Sequence, residues 1–276
     1  MTGCKVLSVD PETAIITLEN GETHQGDLIL GADGVHSVTR KVVAGRDIKP
    51  FSSGKSAFRF LINRKVVEDD PITAKFIEKP GNLLIWYAED RRVIAYPTTN
   101  NQLLNFVCIH PDTLSEAGSD GWNKGGSFDQ MLKIYEGFDP AMIALISKAD
   151  RESLKAWKLL DMEQLSTWVT GKLALLGDAA HPFTPHQGQG AAQAMEDAAS
   201  LGALFPIDTK KEDIPALLEL YVKIRKDRAE AIQEFSRRVG SDRKDGGIDS
   251  MYSLVHTLEV ETHKPSKKIH RLQFRP

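Results

Sequence analysis

The segment LALLGDAAHPFTPHQGQG, residues 173–190, decides the fold. Its apolar start predicts a buried strand, and the Gly-Asp pair after it places the Asp178 carboxylate at the carboxyl edge of a sheet, where open α/β folds bind ligands. The Gly-Gln-Gly at its end opens an Ala-rich helix, so the backbone can approach a flat ligand and present free N–H groups to it. A tight turn with a capping Asp also explains Gly-Asp alone, but the glycines and the helix together favour a ligand site.

A second segment, GDLILGADGVHSVTR at residues 26–40, has a similar form. Its apolar run predicts a strand, Asp33-Gly34 predicts a turn, and the residues that follow predict a helix capped by Ser37. Taken alone, Asp-Gly is a common turn. The importance of this segment therefore depends on the first one.

Residues 173–201 and 26–40 resemble the two flavin-binding fingerprints of the FAD-dependent aromatic-ring monooxygenases of the salicylate hydroxylase type, which have the p-hydroxybenzoate hydroxylase fold. The fingerprints stand in the order that the family has, and the resemblance extends over residues 4–240. It implies FAD as the cofactor and NAD(P)H as a co-substrate. It also implies that a small aromatic substrate, such as salicylate, is hydroxylated with O2.

The same resemblance implies which residues form the cofactor site. Asp178, preceded by Gly177, binds the ribityl hydroxyls of FAD, and Pro185 lies against the isoalloxazine face where oxygen reacts. Asp33 lies near the pyrophosphate and is linked to the use of the nicotinamide cofactor. The other implied cofactor-binding residues are Gly34, Arg40, Gly188, Gln189, Gly190 and Ala191.

Four residues are candidates for the substrate pocket: Arg59, Tyr96, Pro185 and His186. A structural role is an open alternative, because Arg59 could pair with a carboxylate and Tyr96 could belong to the core. We therefore assign no catalytic acid or base from the sequence.

The predicted fold is mixed α/β, a partial FAD-binding Rossmann-like domain with an inserted β-sheet substrate domain. Apolar runs bounded by Gly, Pro and Asn predict short strands in the first thirty residues and four more further on: Ser56–Ile62, Leu83–Tyr87, Arg92–Tyr96 and Leu103–Ile109. We expect residues 1–50 and 161–240 to form the FAD-binding domain and residues 51–160 the substrate domain. Residues 241–276 are polar and predict a weakly ordered tail.

Helical spacing predicts helices over Phe128–Tyr135 and Ala141–Lys148, an Ala-rich helix over residues 190–204, and a long helix over Pro215–Val239 that Gly240 ends. An apolar stripe marks the face that each of the last two helices is expected to bury. The stripes are Met195, Ala198, Gly202 and Phe205 in the Ala-rich helix, and Leu217, Tyr221, Ile224, Ile232, Phe235 and Val239 in the long helix.

Members of the family begin with a βαβ unit that carries Gly-x-Gly-x-x-Gly and whose helix start holds the FAD pyrophosphate. This sequence lacks that motif, so the expectation is an N-terminally truncated FAD-binding domain whose activity is in question. Two other interpretations stay open. One is a non-catalytic remnant or interaction fragment, and the other is an FAD-dependent oxidoreductase or epoxidase that acts on a non-aromatic substrate.

The composition favours a small-molecule partner. A formal net charge of −3 over 276 residues provides no field that attracts nucleic acid or an anionic membrane. No apolar stretch approaches the ~20 residues of a membrane span, and no leader pattern is seen, so a cytoplasmic protein is expected. Cys108, in an apolar run, predicts a buried reduced thiol. His110, His181 and His186 have no carboxylate or thiol at ligand spacing, so no metal site is expected.

Overall fold

The computed structural model describes residues 2–115, 125–241, 260–261 and 269–272. The strands are β1 (Val6–Asp10), β2 (Ile15–Leu18), β3 (Thr23–Gln25), β4 (Ile29–Gly31), β5 (Phe51–Asn63), β6 (Leu83–Tyr87), β7 (Arg92–Thr98), β8 (Leu103–Pro111), β9 (Lys155–Asp161), β10 (Val169–Thr170), β11 (Leu173–Leu175), β12 (Val260–Glu261) and β13 (Ile269–Leu272). The α-helices are α1 (Thr39–Ala44), α2 (Arg64–Glu68), α3 (Pro71–Ala74), α4 (Phe128–Ile134), α5 (Pro140–Ile146), α6 (Gly190–Leu204) and α7 (Ile214–Gly240). The mixed α/β class predicted from the sequence is confirmed.

The chain folds into two compact units. Unit 1 consists of Met1–Phe51 and Leu160–Gly240, and unit 2 consists of Ser52–Leu159 and Ser241–Pro276. Each unit contains a hydrophobic cluster of its own. Among the described residues, no helix combines the length and the apolar character needed to cross a bilayer.

Unit 1 contains two three-stranded sheets, an antiparallel β1-β2-β3 meander and a sheet with the order β10-β11-β4. Strands β11 and β4 are parallel, with Leu173 opposite Ile29 and Leu175 opposite Gly31. Leu173, Ala174 and Leu175 are fully buried because the cluster around them includes side chains from α7. Parallel pairing brings the carboxyl ends of β4 and β11 to one edge, so the turns that follow both strands lie together.

Unit 2 contains a seven-stranded sheet with the order β12-β13-β6-β7-β8-β5-β9. Side chains alternate between the two faces of each strand, and one face carries stacked Phe60 and Phe106 in a large buried cluster with residues of α4 and α5. Cys108 belongs to this cluster as a free thiol, and burial raises its pKa. The buried reduced thiol predicted from the sequence is therefore confirmed.

The face that α6 buries differs from the predicted apolar stripe. Met195 is 72% exposed, and Ala198 and Gly202 are exposed as well. The buried positions are Gln193, Asp197 and Leu201. The predicted apolar stripe was wrong, because Gln193 and Asp197 on the buried side accept hydrogen bonds from Arg225 of α7, and Leu201 packs in the apolar cluster beside them.

Helix α7 departs from its predicted stripe in the same way. Tyr221 and Val239 are buried as expected, whereas Ile224 is 50% exposed and Phe235 is 37% exposed. The positions that are buried in their place include three polar side chains: Arg225, Gln233 and Ser236. Each of them hydrogen-bonds to another element of unit 1.

The prediction of a weakly ordered tail over residues 241–276 falls mostly outside the described residues. The described part beyond Ser241 forms β12 and β13, which pair with each other in antiparallel fashion. Strand β13 also pairs antiparallel with β6, with Ile269 opposite Trp86 and Leu272 opposite Leu83.

Candidate cofactor site

The turn after β11 presents the carboxylate of Asp178. Residues Gly177–Ala179 form a single 3-10 turn, and the Asp178 side chain reaches solvent. Nearby protein atoms nonetheless raise the pKa of the Asp178 carboxyl by limiting its hydration, while the charges of His181 and Arg40 act in the opposite direction. Within residues 2–115 and 125–241, no group donates a hydrogen bond to this carboxylate. It is therefore an open acceptor at the carboxyl edge of the sheet.

Arg40 connects the two sequence fingerprints. Its guanidinium is 1% exposed and donates to the carbonyl of Ala179 at 2.8 Å, through Nε, and to that of Asp178 at 2.7 Å, through Nη2. It also donates to the carbonyls of Val35 and Gly34, which lie between β4 and α1. Burial lowers the pKa of Arg40, and the negative charges of Asp33 and Asp178 oppose that shift. The side chain thus joins two turns that lie far apart in the sequence.

Asp33 caps the start of α1. Its carboxylate accepts hydrogen bonds from the backbone N–H groups of Val38 (2.7 Å) and Thr39 (3.0 Å) and from the hydroxyls of Ser37 and Thr39. Burial opposes ionisation of the Asp33 carboxyl, but these hydrogen bonds outweigh it and lower the pKa. Ser37, the expected cap, accepts from the N–H of Arg40 at 2.9 Å. Both side chains therefore provide acceptors for the free backbone N–H groups at the start of α1, and they hold Arg40 at its position.

The glycine-rich turn leads into a helix with an open N-terminus. Residues Pro185–Gln187 form a 3-10 turn that ends at Gly188, whose φ of +64° favours glycine. A Cβ at Gly188 would meet no atom within 4 Å, so the backbone is accessible from this side. Helix α6 follows, and no side chain caps it. Its first N–H groups, at Gly190 and Ala191, lack intrahelical acceptors and carry the positive end of the helix dipole.

A buried charged cluster, which the sequence interpretation did not include, lies behind the Asp178 turn. Asp197 is fully buried, and its carboxylate accepts from the N–H of Gly177 at 2.9 Å, from Nε2 of His181 at 2.7 Å and from Nε of Arg225 at 2.9 Å. Burial opposes ionisation of Asp197, but these partners lower its pKa overall. Helices α6 and α7 thereby hold the backbone of Gly177 and, with it, the Asp178 turn. An acidic residue on an otherwise Ala-rich helix is the signal that could have identified this position.

The same cluster extends to the surface through Glu196. Its carboxylate accepts from Arg228 and Arg225, and these two guanidinium groups lower the pKa of Glu196 to about 2. Because the folded-state pKa lies below the unfolded one, the ion pairs stabilise the fold above pH ~4.5. That stabilisation is lost as the pH falls toward about 2.

We expect Glu196→Gln to lower the free energy of unfolding at neutral pH by at most ~1 kcal/mol, because the pair reaches solvent. The difference from the wild type should shrink toward zero between pH ~4.5 and pH ~2. Denaturant unfolding at a series of pH values measures this difference. A difference that stays constant across the acid range would contradict the assignment.

The structure places the four pocket candidates in different units. Pro185 and His186 belong to unit 1, where Pro185 is exposed and the imidazole of His186 is buried. Arg59 and Tyr96 belong to unit 2, on the same face of the seven-stranded sheet. The partner of Arg59 is an amide and not a carboxylate, since its Nε donates to Oδ1 of Asn105 at 2.8 Å.

Asn105 was not singled out in the sequence. It lies opposite Leu61 of β5 and Tyr96 of β7, and it is 2% exposed. Its Nδ2 is buried without a hydrogen-bond partner among the described residues. Asn105 therefore orients the Arg59 guanidinium and adds an amide donor to the sheet face that carries Tyr96.

The residues of unit 1 fit an FAD group. The site offers an open carboxylate that can accept from hydroxyl groups, at Asp178, and backbone N–H groups at the start of α6, around Gly190, that can donate to the electron-rich edge of a ring. Within the protein, the Asp33 carboxylate accepts hydrogen bonds at the start of α1, and the Arg40 guanidinium donates to backbone carbonyls of both turns. Asp33 and Arg40 hold the site together, and Asp178 and the α6 start face outward from it.

Comparison with known proteins gives consistent results. The family model described as "FAD binding domain" matches residues 8–236. The FAD-dependent monooxygenase atnJ of Arthrinium sp is 32% identical over 237 residues, which cover 86% of this chain and 55% of the relative. Hispidin-3-hydroxylase of Neonothopanus nambi is 31% identical over 240 residues, which cover 83% of this chain and 56% of the relative. The chain thus spans little more than half the length of these curated relatives.

Two solved structures show the same fold. A substrate complex of salicylate hydroxylase superposes with a TM-score of 0.75 at 30% identity, covering 91% of this chain and 64% of that chain. Klebsiella pneumoniae HpxO in complex with FAD and uric acid superposes with a TM-score of 0.70 at 27% identity, covering 86% of this chain and 57% of that chain.

Proposed function

Because this chain belongs to the FAD binding domain family of FAD-dependent monooxygenases, we propose that it hydroxylates a phenolic or aromatic acid, such as salicylate, with NAD(P)H and O2. The observation that carries this proposal is the open Asp178 carboxylate beside the uncapped start of α6.

Each element of unit 1 has a proposed part in holding the cofactor. Asp178 accepts hydrogen bonds from the ribityl hydroxyls, and the N–H groups around Gly188, Gly190 and Ala191 face the electron-rich edge of the ring. A negative charge on that edge is stabilised by the α6 dipole by about 0.3–1 kcal/mol. Pro185, on the exposed side of its turn, contacts the ring face. The chemistry that FAD supplies when bound is hydride acceptance from NAD(P)H and the activation of O2.

Unit 2 supports an aromatic acid as the substrate. Arg59 offers a guanidinium, and Tyr96 offers a hydroxyl and a ring. Asn105 offers an amide N–H group that has no hydrogen-bond partner among the described residues. All three lie on one face of the sheet. A carboxylate or phenolate oxygen is the group that a guanidinium and an amide N–H together recognise. The named relatives and neighbours act on or bind hispidin, salicylate and uric acid, which is consistent with an oxygen-bearing ring.

We expect Asp178→Asn to weaken FAD binding by roughly 10- to 100-fold, because hydrogen bonds to a charged acceptor contribute about 1.5–3 kcal/mol each. The quenching of FAD fluorescence on titration with the purified chain measures the Kd. Asp227→Asn, an equally conservative change at an exposed position of α7, is the control and should leave the Kd unchanged. Equal Kd values for both variants would show that Asp178 does not contact the cofactor.

The activity is tested on the same 276-residue chain by recording its visible spectrum with added FAD and by following NADPH oxidation with and without salicylate. A bound-flavin spectrum and salicylate-stimulated oxidation are the expected results. Absence of both would leave the non-catalytic interpretation. A flavin spectrum with oxidation stimulated only by a non-aromatic alkene would instead favour the epoxidase.

A further inference from the structure

The loop that carries Pro185 is held by one face of α7. Gln233 Nε2 donates to the carbonyl of Pro182 at 3.0 Å, and the Ser236 hydroxyl donates to the carbonyl of Thr184. The hydroxyls of Thr184 and Ser236 also lie 3.1 Å apart. Gly240 continues this face, since any side chain at that position would overlap the imidazole of His186.

The contacts follow the periodicity of α7. Positions 233, 236 and 240 are three and four residues apart, so they lie on one face of a helix. Positions 182 and 184 are two residues apart in the irregular part of the loop, and His186 follows in the 3-10 turn Pro185–Gln187. Successive turns of α7 therefore meet positions 182, 184 and 186. The burial pattern agrees, because Pro182, Thr184 and His186 are buried while Pro185 is exposed.

The polar character of this helix face has a physical reason. Buried backbone carbonyls need hydrogen-bond donors, and the Pro182 and Thr184 carbonyls find theirs in the side chains of Gln233 and Ser236. Gln233 and Ser236 are 2% and 1% exposed, so water reaches neither pair. An apolar residue at either helix position would leave a buried carbonyl without a partner.

We propose that Gln233 and Ser236 are positioning residues that hold the loop in the one orientation in which Pro185 faces outward from unit 1. A loop that lost these donors would no longer be fixed to α7 at Pro182 and Thr184, and the turn that begins at Pro185 would no longer be kept in its present orientation. The contact between Pro185 and the flavin ring rests on the proposed function, whereas the hydrogen bonds by which α7 positions the loop do not.

Amide hydrogen exchange, measured by mass spectrometry without any ligand, tests whether Gln233 and Ser236 hold the loop in place. In Ser236→Ala and Gln233→Met we expect peptides that span residues 181–190 to exchange about five to ten times faster than in the wild type, because each variant removes the donor to a buried loop carbonyl. Peptides from β4, β11 and the first half of α7 should be unchanged. Ser200→Ala is the matched control, since its hydroxyl donates within α6, to the carbonyl of Glu196.

A second readout follows the cofactor. FAD titration should give a Kd about fivefold higher for Ser236→Ala and Gln233→Met, with a shifted visible absorption band of the bound flavin, and no change for Ser200→Ala. Two variants are used so that a folding failure of one leaves the other to decide.

Exchange in the 181–190 peptides within twofold of the wild type would overturn the proposal. An acceleration spread evenly over unit 1 would overturn it as well, since this would show a general loss of stability. If the wild-type chain binds no FAD, the proposed function fails, and the exchange data still decide whether α7 positions the loop.

Discussion

Replacing Arg40 by methionine is expected to lower the free energy of unfolding of unit 1 by about 3–5 kcal/mol. The guanidinium is almost fully buried and supplies donors to the carbonyls of Gly34, Val35, Asp178 and Ala179. Methionine fills most of the volume but donates nothing, so these carbonyls lose their partner in a place that water reaches poorly. Denaturant unfolding, followed by hydrogen exchange of peptides from residues 28–44 and 173–181, measures the loss.

Arg46→Met is the matched control for this variant. The Arg46 side chain is 63% exposed and pairs with Glu163 at 2.8 Å, so its removal should cost less than about 1 kcal/mol. The Arg40 variant should also weaken FAD binding, because the turn that contains Asp178 loses its anchor. If both variants have the same stability, Arg40 does not connect the two fingerprints in the way that the structure indicates.

Asp197→Asn is expected to destabilise unit 1 by about 3–5 kcal/mol at neutral pH. Three donors, from Gly177, His181 and Arg225, converge on the two carboxylate oxygens. An asparagine has a single acceptor oxygen, and its amide N–H groups would face donors. The change also leaves the guanidinium of Arg225, which is 4% exposed, next to a neutral amide in place of the Asp197 carboxylate. Removing one member of a buried ion pair is costly for this reason.

Glu234→Gln provides the comparison, because Glu234 is another carboxylate with an arginine partner, Arg238 at 3.1 Å, but at the surface. We expect its effect to stay below about 1 kcal/mol. The folded state holds the pKa of Asp197 below its ordinary value of 3.8, so the unfolded wild type takes up a proton at this carboxylate before the folded state does as the pH falls. The Asp197 variant lacks this carboxylate and should therefore lose less stability than the wild type below pH ~3.8. Parallel acid-unfolding curves for the two proteins would contradict the assigned role of this carboxylate.

Elements bounded by strong local signals were predicted well. Strand β6 was predicted with both of its bounds, Leu83–Tyr87, and α6 with both of its bounds, Gly190–Leu204. Short elements without an apolar period were missed. Helices α2 and α3 were not predicted, although Asn63 caps α2, Asp70 caps α3 and Pro71 is the first residue of α3. Strand β9 was missed because its run of residues mixes lysines with apolar side chains.

The buried faces of the long helices were predicted poorly, for a physical reason. A stripe prediction assumes that the core-facing side of a helix is apolar. In α7 the neighbours include a turn and a loop with backbone carbonyls, so Gln233 and Ser236 are buried and Phe235 is partly exposed. In α6 the neighbour is the Gly177 turn, so Asp197 is buried and Met195 is exposed.

The sequence by itself determined the family, the cofactor and the segment expected to face it, because glycines, a helix start and an edge carboxylate lie within one short stretch and interact locally. Only the tertiary structure decided what holds that segment in place. Arg40 reaches carbonyls 138 and 139 residues away, and Arg225 reaches Asp197 from another helix. Hydrogen bonds of this kind depend on how distant elements pack, and no local pattern of residues encodes those distances.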